Sequence, residues 1–181
     1  KDNEELSTIE LSEKFFNKKQ FRSTSDCKEP LVRNLDNYSQ FIEKYAGQEK
    51  VVVVLAMSNI RCCDIVRATK LMKGSRSLKL ISKNKLKSDI ALVGAIARGQ
   101  QKASTGQTAQ KKQKKHRKQG QERAVLIATP ARFVNVVKQS EPVLEFGTVV
   151  LDSSYLDPKS RSIFDESTNL ALLKELAELN E

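Results

Sequence analysis

The sequence predicts an α/β domain, a parallel sheet with helices on both faces. Three observations carry that reading. Val51-Val52-Val53-Val54-Leu55 is an unbroken apolar run, as in a central strand covered on both sides. Val125–Ala128 and Thr148–Leu151 are further β-branched runs, each stopping at a polar turn. Between and after these runs lie helical stretches, and such alternation makes neighbouring strands parallel. A chain of 181 residues suits one domain and buries roughly 70% of its unfolded surface.

Taken in order, Glu4–Lys18 carries Leu6, Ile9, Phe15 and Phe16 among charges and reads as an amphipathic helix, followed by a polar arm to about residue 36. Phe41 and Tyr45, four apart, place a short helix over Asn37–Ala46, ended by Gly47. After the Val51–Leu55 strand, Ser58-Asn59 caps a helix expected over Ile60–Lys73, with Gly74 as terminator. Ser77–Ile81 is expected as a strand, and Ile90–Ala97 as an apolar segment of either type. Gly99–Arg123 is a basic low-complexity stretch without apolar periodicity, expected as a disordered insertion. The fold resumes at Ala124 with a strand. Thr129-Pro130 then opens a helix with Pro in its first position. Thr148–Leu151 leads to a turn at Asp157-Pro158, and Leu172, Leu173, Leu176 and Leu179 mark a last helix over about Asn169–Leu179. The expected organisation is an N-terminal helix and arm over residues 1–36 and a folded domain over 37–181, with 99–123 inserted.

The net charge of +10 is concentrated. Residues 65–123 hold 17 Lys/Arg against two acids, Asp89 and Glu122, and the remainder holds 15 basic and 20 acidic residues. A basic middle with acidic flanks points to a polyanion partner, RNA or DNA before an anionic membrane. Cys27 and the adjacent Cys62-Cys63 do not form a disulfide framework, and a reducing compartment is expected. The longest apolar run, Val51–Met57, is far too short to span a bilayer. The chain opens on Lys1, so further sequence before it is expected.

The segment Lys111-Lys112-Gln113-Lys114-Lys115-His116-Arg117-Lys118 is expected to neutralise phosphates or to serve as a nuclear or nucleolar address, the competing reading being a solvated, charge-repelled loop. Its RNA-contact candidates are Lys111, Lys112, Lys114, Lys115, Arg117 and Lys118. A second basic series runs through Arg67, Lys70, Lys73, Arg76, Lys79, Lys83, Lys85 and Lys87. Thr129-Pro130-Ala131-Arg132 follows a strand and opens a helix, where free N–H groups and the dipole favour an anion. Arg132 and the Thr129 hydroxyl would add contacts there; the competing reading is an ordinary cap. Ser58, between the first strand and its helix, is a weaker candidate whose simpler role is capping. No G-x-x-x-x-G-K-[ST] phosphate loop starts at any of the seven glycines. His116 is the only histidine, and no C-x-x-C or G-x-S-x-G stands in the chain, so metal and hydrolase readings fail.

VLIATPARF (Val125–Phe133) and TVVLDSSYLD (Thr148–Asp157), in this order and spacing after Val51–Met57, resemble the first helicase domain of DEAD-box proteins. The family text there is T-P-G-R and D-E-A-D. Here Ala131 replaces the Gly, and Asp152-Ser153-Ser154-Tyr155 replaces D-E-A-D. With the insertion, the chain resembles the Cms-type family of helicase-like nucleolar proteins of the U3-containing 90S pre-ribosome, the small-subunit processome. The resemblance implies a single RecA-like domain without its phosphate loop, and RNA contacts at Thr129, Arg132 and Ser58. It implies no catalysis and no cofactor, because Asp152 alone survives from a motif whose acids hold Mg²⁺ and orient water. The expected role is a ribosome biogenesis factor of the nucleus and nucleolus, acting in 18S rRNA maturation. Its expected partners are pre-ribosomal RNA or U3 snoRNA and processome proteins, with no membrane and no small-molecule substrate. The alternatives are an ATP-dependent helicase whose missing parts lie outside this chain, and a pure protein-interaction scaffold.

Overall fold

The computed structural model describes Ser7, Phe16, Lys19, residues 21–24, 34–100 and 122–178. Chain contacts divide it into two compact units, Lys1–Val32 and Arg33–Glu181. In the first, the rings of Phe16 and Phe21 meet edge-to-face at 5.5 Å. The expected Glu4–Lys18 helix falls mostly, and the Lys111–Lys118 tract wholly, outside the described residues.

The second unit is a four-stranded parallel sheet flanked by helices. Its elements are α1 (Tyr38–Ala46), β1 (Val51–Leu55), α2 (Asn59–Thr69), β2 (Ser75–Leu80), α3 (Leu86–Ala97), β3 (Arg123–Ala128), α4 (Pro130–Lys138), β4 (Thr148–Leu151) and α5 (Ser167–Glu178). The strand order is β2-β3-β1-β4. β1 pairs with β3 through Val51↔Ala124 to Leu55↔Ala128 and with β4 through Val52↔Thr148 to Leu55↔Leu151, while β3 pairs with β2 through Ser75↔Arg123 to Leu80↔Ala128.

The central strands β1 and β3 are buried on both faces, as their apolar runs demand, and the edge strands β2 and β4 are half-buried. Val52, Val54, Val125, Ile127 and Val150 form one core with Ile42 and Ala46 of α1 and Cys62 and Ile65 of α2. The alternate residues Val53, Leu55, Leu126 and Ala128 are fully buried too, pointing to the other face by the two-residue period of a strand. There the helices stack α3 on α4 on α5. Phe133 of α4 is fully buried and meets Phe146 edge-to-face at 5.5 Å. Leu173 and Leu176 of α5 are buried as its leucine spacing predicts.

Three expectations are refined. The Ile90–Ala97 segment is helical and starts earlier, at Leu86. It ends in a Schellman motif at Gly99 (φ +70°), with Gly99 N donating to Ile96 O at 2.8 Å and Gln100 N to Ala95 O at 2.9 Å. α2 stops at Thr69 rather than Lys73. The Thr69 hydroxyl donates back to Ile65 O at 2.8 Å and accepts from the Ser77 hydroxyl at 2.7 Å, so the helix end is tied to β2. β2 accordingly begins two residues before the expected Ser77, immediately after Gly74 (φ +66°).

Candidate functional site

In a parallel α/β sheet, ligands bind beyond the carboxyl ends of the strands. That edge is formed here by the residues after Leu55, Leu80, Ala128 and Leu151. It gathers Ser58, Thr129 and Arg132, the three sequence candidates among the described residues, together with Asp152.

Ser58 is extended (φ −144°, ψ 156°) and caps α2: its hydroxyl accepts from the Arg61 amide at 3.2 Å. The next residue, Asn59, reaches over to the turn after β2. Its side-chain amide donates to the Ser82 hydroxyl at 2.6 Å and accepts from the Ser82 amide at 3.4 Å. Two loops from non-adjacent strands are thereby tied together across the end of β3.

Asp152, at the end of β4, is enclosed by Arg61 from the first turn of α2. Arg61 Nε donates to Oδ2 at 2.7 Å and Nη2 to Oδ1 at 3.2 Å, a two-pronged contact with side chains 12% and 1% exposed. The same guanidinium lies 4.4 Å from the ring centroid of Tyr155, within cation–π range. A divalent cation at Asp152 would have to displace Arg61 from both oxygens, so the donor set does not fit one. Beside the pair, the Tyr38 hydroxyl is buried, and burial, then the Asp152 carboxylate, pushes its ionisation above the ordinary phenol value. Burial likewise pushes the Cys62 thiol up to about 12, with Cys63 and Asp152 adding to the shift. An open cavity of about 450 Å³ lies over this corner, lined by Asn34, Leu35, Asp36, Arg61, Tyr155 and Leu156 among others.

Arg132 does not project freely from the start of α4. Its side chain is 13% exposed and is held by Asp89 of α3, 4% exposed, with Nε and Nη2 at 2.9 and 2.7 Å from Oδ2. Nη2 also donates to the Asn84 carbonyl at 2.9 Å, and the Asn84 side chain donates to Asp89 Oδ1 at 3.0 Å and to the Lys79 carbonyl at 3.0 Å. Thr129 is half-buried at the N-cap of α4, with no side-chain cap bond, and Pro130 fills the first helical position as expected. Neither ion pair was legible in the sequence: Arg61 and Asp152 stand 91 residues apart and become neighbours only because β4 pairs with β1. The residues flanking the basic stretch, Gln100 and Glu122, lie at the opposite, amino end of the strands, beside a larger cavity of about 910 Å³. Among the described residues no cluster of His, Cys, Asp and Glu could hold a metal ion, and no helix is long and apolar enough to cross a membrane.

The chain is 34% identical over 164 residues to a Saccharomyces cerevisiae protein named Protein CMS1, a match covering 89% of this chain and 50% of the yeast protein. It is 26% identical over 190 aligned positions to a Chaetomium thermophilum protein of the same name, covering 96% of this chain and 65% of that protein. The chain thus spans between half and two thirds of the length of these relatives. No protein-family model matches it, and no solved structure does.

Proposed function

We propose that this chain is the CMS1-type part of a non-catalytic assembly factor that binds RNA and protein in the early small ribosomal subunit precursor, in the nucleolus. The observation that carries the non-catalytic half is the Arg61–Asp152 pair. The carboxylate standing where the DEAD-box resemblance puts a metal-holding acid is occupied by a guanidinium on both oxygens. Ser153, next in the chain, has no carboxylate with which to orient a water. The likeness to two CMS1 proteins supports the assignment of family.

The RNA-binding half is supported by charge. Between residues 65 and 100 stand nine Lys/Arg and one acid, Asp89, which is buried and paired with Arg132. That stretch therefore shows solvent a surface of one sign, the electrostatic footprint of a polyanion partner. Protein contacts are supported by large apolar side chains left in water: Leu71 is 89% exposed, Ile60 75% and Leu156 56%.

Crosslinking of the protein to RNA in cells, followed by mapping of the sites, tests the proposal, which expects them on precursors of the small-subunit RNA or on U3. RNA-stimulated ATP hydrolysis by the purified full-length protein, abolished by Asp152→Ala, would overturn it.

A further inference from the structure

The turn between β2 and α3 is more firmly fastened than a surface connection requires. Asn84 N donates to Ile81 O at 2.9 Å, closing the turn. The Asn84 side chain ties it to Lys79 O and Asp89 Oδ1, Arg132 holds the Asn84 carbonyl, and Asn59 holds Ser82. What the turn and the first residues of α3 offer outward is Lys83, Lys85 and Lys87, all exposed and none in an ion pair among the described residues. Leu86, which opens α3, is half-buried.

We infer that this turn is a contact surface for the phosphate backbone of RNA, carried by Lys83, Lys85 and Lys87, and that Arg132 is a positioning residue for it, not a contact. The inference rests on the RNA-binding reading above and gives it a location. Three exposed ammonium groups within five residues suit a run of phosphates, which point charges neutralise without sequence preference. A protein partner would need a desolvated apolar anchor at the centre of the contact, which the turn does not supply. Arg132 is unsuited to direct contact, because its Nε and Nη2 already donate to Asp89 and Asn84 and the side chain is almost wholly covered. Preorganisation is its contribution: the lysine-bearing backbone is held in place before RNA arrives, which lowers the ordering cost of binding.

The test is fluorescence anisotropy of a labelled oligouridine with the full chain over a range of salt. For the triple variant Lys83→Gln, Lys85→Gln, Lys87→Gln, the slope of log affinity against log salt should shrink by about 2. Affinity at 0.1 M salt should fall on the order of a hundredfold, with melting temperature unchanged. Arg132→Ala should weaken binding of the otherwise wild-type chain and add no loss in the triple background. A further loss there would make Arg132 a direct contact and overturn the positioning role. Asn84→Ala loosens the same turn without stranding a buried charge, and it keeps this arm decisive if Arg132→Ala unfolds. Oligouridine binding that the triple variant leaves intact would overturn the lysine surface while leaving RNA binding standing. Loss of polyglutamate binding without loss of oligouridine binding would overturn it in favour of an acidic protein. Failure of the wild-type chain to bind oligouridine at low salt would overturn the RNA-binding reading itself.

Discussion

Arg61 and Asp152 are each tolerable in the interior only because of the other. A buried carboxylate left without its guanidinium faces desolvation that nothing offsets, so Arg61→Ala should cost about 3–5 kcal/mol in urea denaturation. Replacing both, as in Arg61→Met with Asp152→Leu, should cost much less than either single change, because no charge is then stranded. The neighbouring Cys62 thiol, pushed up to about 12, stays protonated at neutral and mildly alkaline pH and is fully buried. Iodoacetamide at pH 8 should therefore leave it unmodified in the native protein and label it on unfolding. A third residue-scale prediction concerns Asp157. The Arg161 side chain, then the Arg161 and Lys159 amides, hold its carboxyl below the usual carboxylate range. A lowered folded-state value makes the contribution present above the ordinary pKa and lost as pH falls through the lowered one. Exchange of the Lys159 and Arg161 amides should accordingly quicken, relative to the rest of the domain, only in strongly acid solution and in Asp157→Asn.

At the scale of elements, strands were easier to read than helix ends. The runs Val51–Leu55 and Thr148–Leu151 have the stated boundaries, the first because β-branched residues buried on two faces leave few alternatives, the second because its apolar run stops at a polar turn. The end of α2 was illegible because it is set by the hydrogen bond between Thr69 and Ser77, a tertiary contact that periodicity does not encode. Ile90–Ala97 was ambiguous for a related reason: apolar on too many sides for a clean stripe, the helix it belongs to packs on α4 and receives the Glu141 backbone. Gly94 marks that approach. A methyl built there would stand 2.9 Å from the Glu141 carbonyl oxygen, which also accepts from Arg98 Nη1 at 2.9 Å. Gly94→Ala should therefore destabilise by about 1–3 kcal/mol despite the better helix propensity of alanine, as measured by thermal unfolding. Were propensity in control, the substitution would stabilise.

For the molecule as a whole, the sequence carried the layered architecture and the strand-end position of Ser58, Thr129 and Arg132, but not what those side chains do. A motif places a residue on an edge; whether it faces solvent or a partner depends on elements far away in the chain. Arg132 read as an open cation because Asp89, its partner, sits on another helix 43 residues earlier. Removing core volume remains the most general perturbation: Leu126→Ala, in a strand flanked on both sides, should lower stability by about 2–5 kcal/mol by urea titration. The two buried pairs also bear on how the protein can change over time. Since losing one partner is severe and losing both is mild, positions 61 and 152, and likewise 89 and 132, are open to drift only as couples. An alignment of CMS1 relatives deep enough to count substitutions should show each pair replaced jointly. The exposed lysines of the 83–87 turn should instead vary singly, trading among basic residues while the sign of the surface persists.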